Sequence, residues 1–178
     1  MSQLMVSISG IRGVIGDTLT PEIISNFSLA YGAMNTGKKV ILSRDTRQSG
    51  SMVLNLVKGA LIASGCQVID IGIATTPTIE VMIEVLKASG GVMISASHNP
   101  IEWNAMKFFN RFGQLMTASE NQKLLNKYNH KNWTLASWDK LGKSESNLMA
   151  NEKHIELVLR NINYKAIKAK KFNVALDS

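Results

Sequence analysis

Cysteine is almost missing. Cys66 is the only one in 178 residues, so it has no partner for an internal disulfide and no companion at metal-ligand spacing. Its surroundings, Ala63-Ser64-Gly65-Cys66-Gln67-Val68, mark it as a small core-facing residue. A reducing, cytoplasmic setting is expected for a lone thiol. Long hydrophobic runs are missing too. Acidic or basic side chains interrupt the apolar segments well before membrane-span length, so no spanning helix is expected. Met1-Ser2-Gln3-Leu4 lacks the basic-then-apolar order of a secretion signal. Aromatic residues make up 6% and do not alternate with basic ones, which argues against a stacking platform for single-stranded nucleic acid. Internal repeats and low-complexity tracts are also missing.

What remains is an ordinary globular composition, 45% hydrophobic and 19% charged. The formal net charge is +7, and much of the excess falls late, at Lys165, Lys168, Lys170 and Lys171. That clustering, without aromatic interleaving, does not read as a nucleic-acid surface.

The chain alternates strand and helix patterns. Leu4 to Ser9 reads as a strand, and Gly10, Gly13 and Gly16 as a glycine-rich loop around Arg12. Thr20 caps a helix with Pro21 at its first position, and Gly37 stops it. Strands follow at Lys39–Ser43, Gln67–Ile71 and Val92–Ser95, with helices at Met52–Ser64 and Ile79–Lys87 between them. Thr75-Thr76-Pro77 reads as a helix entry. Met106–Asn110 and Gln114–Met116 could pair around Arg111-Phe112-Gly113. Thr117 and Glu120 have capping-box spacing ahead of a helix to Tyr128. Such alternation predicts an α/β fold, a three-layer α/β/α domain with a mostly parallel sheet. Residues 129–150 lose the periodicity and read as an irregular connection pinned by Trp133, Leu135 and Trp138. A helix at Asn151–Asn161 and a strand at Phe172–Asp177 follow.

The most informative segment is Gly91-Val-Met-Ile-Ser-Ala-Ser97-His98-Asn99-Pro100. A buried strand runs into a small-residue turn that carries a hydroxyl, then an imidazole, an amide and a proline. Open α/β sheets present reactive groups at such strand ends. Asn104 and Lys107 follow, the lysine ten residues after Ser97. No Gly-x-Ser-x-Gly elbow occurs, and His98, adjacent to Ser97, would have to fold back to serve as its base. A Ser-His-Asp hydrolase is therefore disfavoured.

Together, Ser9-Gly10-Ile11-Arg12-Gly13, Arg44-Asp45-Thr46-Arg47-Gln48-Ser49-Gly50, Thr75-Thr76-Pro77-Thr78 and Ser95-Ala-Ser97-His98-Asn99-Pro100 resemble the first domain of the α-D-phosphohexomutases over residues 4–118. These are the phosphoglucomutases, phosphomannomutases and phosphoglucosamine mutases. The resemblance implies that Ser97 carries a phosphoryl group and moves it between the 1- and 6-positions of a hexose phosphate. It implies that Arg12 and Asn99 lie by the phosphate with Asn104. Arg44 and Asp45 would support the serine loop. It assigns Lys107 either to acid–base work or to charge stabilisation, with His98 as the other acid–base candidate. The family also implies Mg²⁺, held by the phosphate on Ser97 and by aspartates of a second domain, and a hexose bisphosphate as activator. Ala105 stands where most members have glycine. Glucose, mannose and glucosamine phosphates all remain open as substrates.

The resemblance divides the chain into a first domain, 1–149, and a linker helix with the first strand of a truncated second domain, 150–178. The fragment alone is expected to be inactive without its downstream domains. Exposed apolar groups near its end, such as Val174 and Leu176, predict swapping, self-association or disorder there. Neither a nucleic acid nor a membrane is expected as partner. The alternative is a phosphate-binding module of the same fold without catalysis.

Overall fold

A computed structural model of the chain describes residues 3–177. Strands β1 (Met5–Ser7) and β2 (Gly10–Val14) form a hairpin. They are followed by α1 (Pro21–Gly32), β3 (Lys39–Arg44), α2 (Gly50–Ala63), β4 (Gln67–Ile73), α3 (Thr76–Val85) and β5 (Gly90–Ile94). Then come β6 (Trp103–Phe109), α4 (Ala118–Asn129), a 3₁₀ turn (Trp138–Lys140), β7 (Ser144–Ser146), α5 (Ala150–Arg160) and α6 (Tyr164–Ala169). Among the described residues, seven strands form one sheet in the order β1-β2-β6-β5-β3-β4-β7.

The expected α/β architecture is present, and its sheet is mixed. β5, β3, β4 and β7 are parallel neighbours joined by helical crossovers. β1, β2 and β6 run antiparallel to their neighbours. The difference lies in connection length. β5 and β6 are joined by a loop too short for the helix that a parallel crossover requires.

Alternation along the strands divides the core between two faces. Val40, Leu42, Val92, Ile94, Met106 and Phe108 point to one side, where α1, α2 and α4 cover them. Ile41, Ile69, Met93 and Phe109 point to the other, against Ile79, Met82 and Ile83 of α3 and Ala150 of α5. The first face is anchored by aromatics. Phe27 and Tyr31 of α1 stand with ring centroids 6.4 and 5.1 Å from Phe108. Burying a side chain of this size contributes about 1.5–3 kcal/mol.

Local signals set the helix boundaries. Thr20 Oγ1 accepts from Ile23 N at 3.3 Å, with Pro21 opening α1. Thr75 caps α3 in the same way. Thr117 and Glu120 form the reciprocal capping box of α4.

Other expectations change. The glycine-rich segment around Arg12 is strand β2, not a loop. Gly10 sits at φ +117°, and a Cβ there would strike the Met106 carbonyl. The glycine thus permits the close approach of β2 to β6 instead of breaking the strand. Phe109 and Leu115 make only an isolated bridge, because β6 pairs with β5 and β2. Within the irregular connection, β7 adds to β4, and Trp133 packs on the core. Trp138 and Leu135 do not pin it, being 88% and 57% exposed. The strand expected at Phe172–Asp177 is absent. Those residues are exposed and pair with no strand.

Candidate active site

Ser97 lies three residues beyond the end of β5, at the carboxyl end of the parallel strands. Arg44 ends β3 at the same end of the sheet. Asp45 N donates to Ile94 O at 2.9 Å, which laces the loop after β3 to the end of β5. The two loops are thereby one structural unit.

Ser97 has a left-handed backbone, φ +56°. Such a conformation costs a non-glycine residue roughly 1–2 kcal/mol. It turns the hydroxyl away from the strand direction. Ser97 N donates to Ser95 Oγ at 3.2 Å, and Asn99 N closes a turn onto Ala96 O at 3.1 Å. The same twist brings His98 Nδ1 within 3.4 Å of Ser97 Oγ. Adjacent residues in extended backbone would diverge, so the left-handed Ser97 supplies the fold-back that His98 needs.

Ser97 lines a cleft of about 180 Å³ with Ser95, Arg12, Lys107, Ser7 and Ser9. The register explains the grouping. Arg12 of β2 stands opposite Ala105 of β6, and Lys107 opposite Met93 of β5. Ile11, Met106 and Phe108 belong to the core under α1 and α4, so Arg12, Ala105 and Lys107 emerge on the opposite face. The helices of that face pack over the parallel strands, with α3 against β3 and β5. The cleft opens beside them, over the antiparallel half.

Arg12 Nη1 also donates to Asn99 Oδ1 at 3.4 Å, so two of the anticipated phosphate ligands meet directly. Lys107 acts on α3 as well. Burial pushes the Glu80 carboxyl above its ordinary 4.5, and the positive charge of Lys107 pulls it the other way.

Asn104 does not enter the cleft. It is fully buried, donates from Nδ2 to Ser49 Oγ at 2.9 Å, and accepts from Ala105 N at 2.8 Å. Arg44 donates to Asp45 O at 2.9 Å. Asp45 in turn accepts from Arg47 N at 2.9 Å and faces Arg47 Nε at 3.4 Å.

Arg47 is the residue whose part sequence reasoning missed. It donates to the carbonyls of Ser97 (2.9 Å), Asn99 (2.6 Å), Pro100 (2.7 Å) and Trp103 (3.1 Å). Bonds from a charged donor are worth about 1.5–3 kcal/mol each, enough to outweigh the strain at Ser97. Its only sequence signal was its position two residues after Asp45, in a loop at a strand end. His154 is half-buried and bonds Thr78 Oγ1 at 2.9 Å.

No group of three or more His, Cys, Asp or Glu capable of holding a metal occurs among the described residues. No helix among them is long and apolar enough to cross a membrane.

Residues 4–134 match the family described as phosphoglucomutase/phosphomannomutase, alpha/beta/alpha domain I. A Pyrococcus abyssi protein named "probable phosphoglucosamine mutase" is 37% identical over 154 residues, covering 86% of this chain and 34% of that protein. A phosphoglucosamine mutase of Nautilia profundicola is 37% identical over 138 residues, 76% of this chain and 31% of its own length. The crystal structure of a phosphoglucomutase/phosphomannomutase family protein from Burkholderia thailandensis superposes with a TM-score of 0.75 at 26% identity, over 89% of this chain and 37% of that one. The chain thus spans about a third of the length of the relatives it matches.

Proposed function

The chain belongs to the phosphoglucomutase/phosphomannomutase family, as its α/β/α domain I, and from that premise we propose that it is the serine-bearing part of a phosphohexomutase. In this reading Ser97 Oγ carries a phosphoryl group, gives it to one hydroxyl of a hexose phosphate and takes back the phosphate at the other position. A hexose bisphosphate primes the serine. The names of the relatives put glucosamine phosphate first among substrates.

One observation carries the reading. A serine with left-handed backbone faces a cleft lined by Arg12 and Lys107. Phosphoserine brings about −1.5 to −2 charges and three acceptor oxygens, and two cationic side chains offset them. Arg12 and Asn99 grip the phosphate. Lys107 stabilises charge that develops on the phosphoryl group in transit. His98, the imidazole nearest Ser97 Oγ, exchanges the hydroxyl proton.

The family's Mg²⁺ would neutralise charge on the phosphoryl oxygens. The residues present do not make its site. Asp45 is committed to Arg47, and no acidic cluster stands by Ser97 among the described residues. Among the described residues, Ser97 through its phosphate is the ligand we assign.

In the same proposal, residues up to 149 form the first domain. Residues from 150 onward lead into a second one, and the exposed Ile155, Val158 and Leu159 of α5 face further chain or a second copy. A cytoplasmic setting suits the free thiol of Cys66.

The test is a mutase assay on the full-length protein with hexose bisphosphate and Mg²⁺. Ser97→Ala should abolish interconversion. Near-normal turnover by that variant would overturn the proposal.

A further inference from the structure

We propose that Arg47 is the positioning residue of the serine loop: its guanidinium, oriented by Asp45, holds Ser97 in the left-handed conformation and so sets where the hydroxyl stands in the cleft. The catalytic consequence rests on the reading above; the positional claim stands on geometry alone.

The loop between Ile94 and Trp103 leaves the sheet ladder, so its carbonyls need other partners. A guanidinium has five N–H donors in a planar fork. Here the four Nη donors all find carbonyls, and Nε is held in an ion pair. Nη2 serves the carbonyls of Ser97 and Asn99, Nη1 those of Pro100 and Trp103, and Nε faces Asp45. One side chain thus gathers four carbonyls that lie within seven residues of chain. A lysine has three donors on one nitrogen and cannot span that ring.

Arg47 also stands apart from the Arg12–Lys107 cleft. It lines the groove on the other side of Ser97, with Asp45, Thr46, Gln48 and Ile101. It therefore acts through the loop backbone and not on a ligand in the cleft. Its loss should impair transfer at Ser97 far more than phosphate binding at Arg12 and Lys107.

The test begins with NMR on the ¹⁵N-labelled chain. In the wild type, the Arg47 Nη protons should be individually resolved, because four carbonyls stop the guanidinium from rotating. Ser97 should show a strong intraresidue HN–Hα NOE, the signature of positive φ. Arg47→Lys and Arg47→Ala should lose that NOE while the core methyl signals of Ile24 and Met106 stay in place. Guanidinium ion at a non-denaturing concentration should restore it in Arg47→Ala, and ammonium should not.

A second arm follows phosphoryl uptake by Ser97 from a hexose bisphosphate in the full-length protein. Arg47→Lys should slow it on the order of 100-fold, the scale of a misplaced reacting group. Inorganic phosphate should still perturb the Arg12 and Lys107 signals at nearly wild-type concentrations. Averaged Arg47 signals in the wild type, or a Ser97 NOE that survives in both variants, would overturn the proposal. So would wild-type uptake rates in Arg47→Lys. A wild type that takes up no phosphoryl group, while its Ser97 NOE still depends on Arg47, would overturn the functional reading and support the positional one.

Discussion

Replacing Asn104 with Ala should cost stability and leave phosphate binding almost intact. Its side chain is fully buried beneath the serine loop, with one bond to Ser49 Oγ at 2.9 Å and one from Ala105 N at 2.8 Å. Each such bond contributes about 1 kcal/mol net, and stranding the Ser49 hydroxyl adds about 1 kcal/mol more. The missing amide atoms also leave a small void. The sum is about 2–4 kcal/mol. For a chain of this size, that lowers the melting temperature by roughly 4–16 °C. The assay is thermal and urea unfolding of the 178-residue chain followed by circular dichroism. Ser49→Ala should cost less, since only one bond is lost. The double variant should reveal a coupling of about 1 kcal/mol between the two side chains. Inorganic phosphate, titrated by NMR at Arg12, should bind Asn104→Ala about as well as wild type. An Asn104→Ala variant that unfolds with the wild type and loses phosphate binding would refute this reasoning and return Asn104 to the ligand shell.

Thr117→Ala removes the capping box of α4 and should destabilise the chain by about 1 kcal/mol in urea unfolding. Burial alone would raise the Glu120 carboxyl, but hydrogen bonds from the Thr117 backbone, the Thr117 hydroxyl and Asn110 hold it below its ordinary 4.5. The stability it contributes is full above about pH 4.5 and is lost as pH falls below that, so the Thr117→Ala penalty should shrink in acid. Burial pushes the Cys66 thiol up from its ordinary 9.0 to about 11, with Lys38 opposing. Its contribution is then complete below about pH 9 and lost as pH rises through about 11, and a thiol reagent at pH 8 should label Cys66 only after urea is added. In the full-length protein, Lys107→Ala should lower kcat by on the order of 100-fold with little change in KM, and equal loss in both would make it a binding residue instead.

The parts of the fold governed by neighbours in sequence were legible. Thr20 with Pro21, Thr75 with Pro77, and Thr117 with Glu120 announced their helices because a cap is a local hydrogen bond. The strand leading to Ser97 was legible because an apolar run ends in a turn. What was not legible depends on chain far away. Gly10 reads as a loop residue until β6, which crowds it, is in place, and Gly13 until Thr18 and Leu19 fold back against it. Residues 144–146 have no apolar pattern and become a strand because the edge of β4 is free to receive them. The role of Arg47 is written in carbonyls 50 to 56 positions away, and carbonyls leave no trace in a sequence. Asn104 shows the converse. The resemblance implied a ligand there, and the fold buries its side chain against Ser49 and Ala105.

The antiparallel half of the sheet has a consequence for how the domain folds. β2 closes onto β6 over a long stretch of chain, from Ile11 to Met106, and Arg12 meets Asn99 across 87 positions. Closing so long a loop carries a large entropy cost before any contact offsets it, and structures dominated by distant pairs form slowly. The parallel strands and their crossover helices can assemble first from nearer pieces. The N-terminal hairpin is then expected to dock late. On a ribosome, that step must wait until β6 has emerged. Until β2 has paired with β6 a chain has the serine but not the arginine beside it, so the cleft needs that distant pairing to exist.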